Sequence, residues 1–262
     1  MMNLKKEYCK TKAFSLIELS IVLIIISLLV AGVVGGASLI KSAELRSIMT
    51  EANKYKLAIN SYYILRDELP GDSDIESDGT ANNMVVTDEG DVNGKIEALS
   101  ASSEIEGTEA WNDMSDPDVG IIGMAQIFPL PNITTGRVPA LSLSQMAPSK
   151  FKGAGWTLDY ATTPPSGGEG EIATINANVL VFTGATLRTP IADIGNPVEL
   201  IPNMTIKGID AYSIDKKIDD GNFTSGRVFG LNTEDDVPGT YGDPCFAEEK
   251  NEVCALAFKI GL

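Results

Sequence analysis

Histidine is absent from this sequence of 262 residues. Histidine is the side chain that titrates near neutral pH, and its imidazole is the commonest nitrogen ligand of transition metals. Its absence excludes zinc hydrolases with histidine ligands and catalytic triads with a histidine base. No nucleophile stands beside a general base and no phosphate-binding glycine loop is found, so we do not expect an enzyme.

Basic residues are few. Lysine and arginine total 20 against 36 aspartates and glutamates, which gives a formal net charge of −16. Nucleic-acid binding normally rests on basic patches that release counterions from the phosphate backbone. Because a chain this acidic repels phosphates, we expect no nucleic-acid partner.

Cysteine occurs three times. Cys9 lies among the N-terminal lysines, whereas Cys245 and Cys254 lie nine positions apart near the C-terminus. If the C-terminal part is exported, a disulfide between these two is the simplest pairing, and it would stabilise that region by about 3 kcal/mol. Two free thiols in a cytoplasmic protein are the alternative.

Charged residues are missing from the range 19–40, which is largely aliphatic. As a helix, these 22 residues would be about 33 Å long, enough to cross a bilayer core of about 30 Å. An ordinary signal peptide has a shorter apolar region of about 7 to 15 residues. Several lysines precede the run and few basic residues follow it, which places the N-terminus in the cytoplasm and the rest of the chain outside. These lysines are Lys5, Lys6, Lys10 and Lys12.

The residues just before this run carry a motif. Residues 13–19 read AFSLIEL. They resemble the cleavage signal of type IV prepilins, the precursors of type IV pilins and type II secretion pseudopilins. The usual form of that signal is Gly-Phe-Ser/Thr-Leu-Ile/Val-Glu. In that family a membrane peptidase cuts before the Phe and methylates the new amino group. The resemblance implies cleavage between Ala13 and Phe14, with Ala13 in place of the usual glycine.

Glu18 is the charged residue of this apolar segment. A carboxylate in a membrane helix costs several kcal/mol unless it is paired or lies near the interface. In pilin-like families its partner is taken to be the N-terminal amine of a neighbouring subunit, so the resemblance implies that Glu18 acts in assembly. A glutamate that snorkels to the interface of a simple single-pass anchor is the alternative.

The resemblance and the hydrophobic pattern together predict an α+β, pilin-like fold. A long N-terminal helix, whose first half spans the membrane, would pack against an antiparallel β-sheet head. Apolar residues at three- and four-residue spacing extend this helix to about residue 66, and the sequence LPGD at 69–72 ends it. We expect a basic leader that is removed (1–13), a transmembrane half-helix (14–40), an amphipathic half-helix (41–69), and a globular head (70–262) with an acidic loop region (71–115) and a C-terminal disulfide region.

Four segments of the head have the alternating or β-branched composition of strands. They are separated by proline and glycine turns, and the range 176–182 is predicted as a central strand. A short helix is predicted over about 205–219, ending in a turn at Gly221. The predicted strands are 121–127, 155–161, 172–182 and 226–230.

One acidic segment resembles the front half of a calcium loop. Glu89, Asp91 and Asn93 supply oxygen ligands at alternate positions, and Gly94 is the sixth residue. Glu89 replaces the usual aspartate, and the twelfth residue is Ser100 instead of glutamate. A plain acidic turn is the alternative.

A second acidic segment reads IDKKIDDG at residues 214–221. It looks like a segment of larger pilin-like proteins. Asp215, Asp219 and Asp220 could ligate calcium, and a helix end exposed to solvent is the alternative. We therefore expect no cofactor, and calcium bound at these acidic segments is the alternative.

The sequence therefore predicts a structural subunit of a type IV pilus or a type II secretion pseudopilus. The subunit would be held in the inner membrane, then assembled into a periplasmic or extracellular filament. Expected partners are other pilin-like subunits, the prepilin peptidase, an inner-membrane assembly platform and, before assembly, membrane lipid. A permanently anchored extracytoplasmic binding or adhesion protein, which would keep residues 1–13, is the alternative.

Overall fold

A computed structural model describes part of the chain and divides it into two units, one ending at Ala43 and one beginning at Glu44. Most of the described residues belong to the second unit. The described ranges are 15–72, 92–97, 106–116, 121–122, 128–129, 137–138, 141–161, 175–186, 189–190, 205–231 and 253–261.

The first helix, α1, runs Leu16–Arg66, which confirms the predicted long N-terminal helix. In the second unit one face of α1 is buried by apolar residues at three- and four-residue spacing, as in an amphipathic helix. The helix ends where Asp67 adopts a left-handed conformation with a φ of 61°. The buried apolar residues of α1 are Leu45, Ile48, Ala52, Tyr55, Ala58, Ile59 and Tyr62.

The described strands of the head pair antiparallel. The main sheet has six strands in the order β2-β3-β4-β8-β6, with β7 also paired to β8, and β1 pairs with β5 separately. Together with α1 this is an α+β, pilin-like architecture. The strands are β1 Arg137–Val138, β2 Ala147–Pro148, β3 Gly155–Ala161, β4 Ala177–Thr183, β5 Thr189–Pro190, β6 Ile206–Lys207, β7 Val228–Leu231 and β8 Val253–Lys259.

Three predicted strands are confirmed, two of them with shifted ends. β3 matches its prediction, β4 lies within 172–182 apart from its last residue, and β7 overlaps 226–230. β4 is central, as expected. The prediction of a strand at 121–127 is wrong for Ile121 and Ile122, which lie in a bend. Residues 123–127 lie outside the described residues.

Two helices accompany the sheet. α2 runs Glu106–Ser115, inside the range predicted as an acidic loop, so that prediction does not hold there. Although α2 is rich in acidic residues, its Ala110, Trp111 and Met114 are completely buried. α3, Gly208–Ile218, confirms the predicted short helix.

An aromatic cluster joins α1 to the other elements of the head. The ring of Tyr55 meets Trp111 of α2 edge-on at 5.0 Å and Trp156 of β3 at 5.9 Å. Trp156 also contacts Phe182 at 5.0 Å and Phe258 at 5.5 Å, on β4 and β8. Because side chains alternate along a strand, these residues share one face of the sheet, and a second buried cluster including Val179 and Val181 lies on the other.

Glu51 adds a polar link between α1 and the sheet. It lies within the apolar face of α1 and is only 8% exposed. Its carboxylate accepts hydrogen bonds from Ser149 Oγ (2.7 Å), the Lys150 backbone N–H (3.0 Å) and Trp156 Nε1 (2.9 Å). These three donors satisfy a carboxylate that would otherwise be destabilising at such a position.

Candidate functional site

The start of α1 is capped by its own side chains. The Ser15 backbone N–H donates to Glu18 Oε2 at 2.8 Å, and the Ile17 N–H lies 3.4 Å from Ser15 Oγ. The bond from Ser15 to Glu18 is one half of a capping box, and Ser15 Oγ lies near the N–H of the second helical residue instead of the third. Sequence reasoning missed this role of Glu18, although the pattern S-x-x-E marks it. Ala13 and Phe14 lie outside the described residues.

The described residues of the first unit expose apolar side chains on all sides of the helix. The large apolar residues between 16 and 40 are between 49% exposed, at Val22, and 88% exposed, at Leu16. A helix that is apolar all round is stable only in lipid or inside a larger packed assembly. By length and composition, α1 contains one segment that could cross a membrane.

A second candidate site lies at the C-terminal end of α3. Asp215 belongs to the last turns of the helix, Asp219 is its C-cap, and Asp220 follows. Positions 215 and 219 are one turn apart and therefore share a face of the helix. One carboxylate oxygen from each of the three residues lies within 4.8 Å of the others. The structure thus brings together the three predicted ligands of the segment 214–221.

Burial distinguishes Asp215 from its two neighbours. Asp215 is completely buried, and neither carboxylate oxygen has a hydrogen-bond partner of normal geometry within the described residues. Burial, followed by the charges of Asp220 and Asp219, raises the pKa of Asp215 to about 7, while the Gly221 amide opposes this shift. The ionised form of Asp215 is therefore poorly stabilised by the protein alone.

The other two carboxylates are held by the loop after α3. Asp220 accepts hydrogen bonds from the Asn222 backbone N–H and from Ser225 Oγ, both at 2.8 Å. The Ser225 hydroxyl, then the Asn222 amide, lower the pKa of Asp220. Asp219 Oδ2 accepts a hydrogen bond from the Arg227 backbone N–H. The carboxylates of Asp219 and Asp220 are therefore fixed in position.

The Lys56 side chain of α1 is electrostatically coupled to this region. Burial, followed by the charge of Arg227, lowers the pKa of Lys56 to about 8, and Asp219 opposes this shift. Lys56 therefore interacts with Asp219. No ion pair reaches Asp215 within the part of the chain that the structure describes.

The first predicted calcium segment is only partly described, because Glu89 and Asp91 lie outside the described residues. Asn93 Oδ1 accepts the Lys95 backbone N–H at 2.8 Å, as in an Asx turn. The backbone N–H groups of Asn93 and Gly94 donate to Asp72 at 3.0 and 2.7 Å. Sequence reasoning missed Asp72, which is 2% exposed and anchors this segment to the end of α1.

The C-terminal cysteines are also partly described. Cys254 lies in β8, is completely buried and is disulfide-bonded. Cys245 lies outside the described residues, so the pairing of Cys245 with Cys254 stays a prediction.

Comparison with known families identifies the N-terminal segment. The model of the prokaryotic N-terminal methylation motif matches residues 9–34. The chain therefore carries the N-terminal signal of type IV pilins and pseudopilins, and the motif supports a type IV pilin-like protein. The signal and the apolar helix together indicate a membrane-anchored single-pass protein that assembles with other pilin subunits and is a substrate of the prepilin peptidase. No significant match is found among curated proteins or among solved structures.

Proposed function

We propose that this protein is a structural subunit of a type IV pilus or a type II secretion pseudopilus. A prepilin peptidase removes residues 1–13 and methylates the amine of Phe14, and the first half of α1 then leaves the bilayer and packs into the filament core. The observation that carries the proposal is the methylation motif at residues 9–34, joined to a helix whose apolar surface is exposed all round. Such a surface needs lipid before assembly and neighbouring helices after it.

The proposed topology follows from charge. Four lysines precede the apolar run, so the leader stays in the cytoplasm and the second unit, from Glu44 onwards, lies outside. The unassembled chain is then a single-pass protein of the inner membrane, in contact with an assembly platform there. No enzymatic activity is required of the head.

Glu18 is the residue through which we propose that subunits select their register. In the single chain its carboxylate caps its own helix, 2.8 Å from the Ser15 N–H. In the filament it would pair with the amine of Phe14 of a neighbouring subunit. An ion pair of this kind neutralises two charges that would each be costly in an apolar core.

Processing is the first test. The full chain is co-expressed with a prepilin peptidase, and the mature protein is analysed by intact mass and N-terminal sequencing. We expect a methylated Phe14 as the first residue, equal or better processing of Ala13→Gly, and blocked processing of Ala13→Leu because the peptidase site excludes a bulky side chain. A mature protein that begins at Met1 would refute the proposal and favour a permanently anchored binding protein.

Filament assembly is the second test, and variants that separate the Glu18 charge from the helix cap are its controls. Glu18→Gln retains a side chain that can accept the Ser15 N–H, so it removes the charge and keeps the cap. Glu18→Ala removes both, and Glu44→Gln removes an exposed carboxylate elsewhere on α1. We expect Glu18→Gln to be processed and inserted normally, yet to enter sheared filaments poorly, because an unpaired buried amine costs about 3 to 5 kcal/mol.

The three variants separate the charge from the cap. If the cap alone mattered, Glu18→Gln would assemble like the wild type and only Glu18→Ala would fail, with a helix-end cost of about 1 kcal/mol. Normal incorporation of Glu18→Gln would therefore refute the ion-pair mechanism. Glu44→Gln should assemble normally.

A further inference from the structure

We propose that Asp215, Asp219 and Asp220 form a calcium site at the C-terminal end of α3. One oxygen from each side chain lies within 4.8 Å of the others, and the Asp215 carboxylate is completely buried without a normal hydrogen-bond partner. This inference is independent of processing and assembly.

The buried carboxylate is the observation that points to a cation. A buried carboxylate needs hydrogen-bond donors or a positive charge. Within the described residues no ion pair reaches Asp215, and the donor beside it, the Gly221 amide, lies outside normal hydrogen-bond geometry. Two further carboxylates lie beside it, at the end of the helix where the dipole is negative. A bound cation would offset the burial of the Asp215 charge, its repulsion by the neighbouring carboxylates and the negative end of the helix dipole.

The loop after α3 holds the other two ligands in place. Hydrogen bonds from Asn222 and Ser225 fix Asp220, and the Arg227 backbone amide fixes Asp219. Each carboxylate oxygen has a second lone pair, so these hydrogen bonds leave room for coordination. A site whose ligands are already positioned loses less entropy when the ion binds.

The ligand chemistry and spacing favour calcium. Three carboxylates form an all-oxygen set, which suits hard cations and not metals that prefer nitrogen or sulfur. Ca²⁺ bonds are about 2.3 to 2.6 Å long and its coordination geometry is flexible, whereas Mg²⁺ has bonds of about 2.0 to 2.1 Å and needs a near-ideal octahedron. Three oxygens that lie within 4.8 Å of one another can converge on one ion, and the larger, more adaptable Ca²⁺ requires the smaller adjustment of the site.

Calcium binding can be measured on the full chain in detergent. Thermal unfolding is followed by tryptophan fluorescence in EGTA and in 1 mM CaCl₂. For a Kd of about 0.1 mM, as in weak extracellular calcium modules, we expect Ca²⁺ to raise Tm by about 3 °C. Tyr212 lies against Gly221, so Tb³⁺ in the same site should show tyrosine-sensitised emission that Ca²⁺ displaces.

Matched variants separate a calcium site from a structural aspartate. Asp215→Asn should be at least as stable as the wild type in EGTA, because it removes a buried charge, but it should lose the Tm shift and the Tb³⁺ emission. Asp210→Asn removes a carboxylate of α3 outside the cluster and should keep both responses. The proposal is overturned if Ca²⁺ produces no Tm shift and no displaceable emission in the wild type, if Asp215→Asn responds like the wild type, or if Mg²⁺ gives the same Tm shift as Ca²⁺.

Discussion

Replacing Glu51 tests how the head is held on α1. Glu51→Ala removes the acceptor of three hydrogen bonds and leaves the donors of Ser149, Lys150 and Trp156 without it. Trp156 is completely buried, so its indole N–H loses its partner and cannot reach water. Ser149 and Lys150 are partly or fully exposed and can be hydrated.

The expected loss of unfolding free energy follows from this difference in burial of the three donors. A buried donor left unsatisfied costs about 1 to 3 kcal/mol, and each hydratable hydrogen bond adds about 0.5 to 1.5 kcal/mol. We therefore expect Glu51→Ala to lower the free energy of unfolding by about 2 to 6 kcal/mol. Glu51→Gln should lower it by about 1 to 3 kcal/mol, because its NH₂ group must face one of the donors.

Urea unfolding of the full chain in detergent, followed by tryptophan fluorescence, measures the effect. Both tryptophans of the chain, Trp111 and Trp156, are buried in the head, so the signal reports its unfolding. Glu44→Ala makes the same change at an exposed position of α1 and should alter stability by less than about 0.5 kcal/mol. If Glu51→Ala lowers the free energy of unfolding no more than Glu44→Ala does, the hydrogen bonds accepted by Glu51 do not stabilise the head.

The remaining predictions concern pH, backbone conformation and the disulfide. Burial raises the pKa of Asp113 to about 6, so the folded state loses stability as the pH rises from about 4 to about 6. Asp113→Asn should therefore stabilise the protein by about 3 kcal/mol at pH 7.5 and not at pH 4, as measured by urea titrations at both pH values. An equal effect at both would contradict this. Gly71 and Gly94 both have a φ near +80°, but a Cβ at Gly71 would lie 2.2 Å from a carbonyl oxygen of α2, whereas Gly94 has open space. Gly71→Ala should therefore destabilise the head by more than about 3 kcal/mol and Gly94→Ala by about 1 kcal/mol, and similar unfolding midpoints for the two would count against the steric argument. Non-reducing peptide mapping should link Cys245 to Cys254, and alkylation of both thiols in exported protein would exclude that bond.

Recognition of the N-terminal signal required only the sequence, because its determinants are contiguous. The motif at 13–19, the lysines before it and the uncharged run at 19–40 can all be read along the chain. The 3.6-residue period likewise predicted α1 close to its observed end, Arg66. β3 and β4 were predictable because strand composition and bounding turns are local features.

The elements that sequence reasoning missed depend on distant partners. The acidic residues of α2 predict a loop, and the helix is stabilised by burial of Trp111 and Met114 in the shared core. β8 was overlooked because its place between β4 and β7 is set by pairing with strands far away in the sequence.

The sequence by itself determined which part of this protein meets lipid and where the precursor is expected to be cut, because hydrophobic length and a short motif act locally. Only the tertiary structure decided which carboxylates are buried and which donors or charges surround them. In the sequence Glu51 looks like an ordinary acidic residue, and Asp215 is one of several candidate calcium ligands, with nothing to show that it is buried. Folding gives Glu51 three hydrogen-bond donors and buries Asp215 beside two other carboxylates, because desolvation and charge depend on what the fold packs around each group.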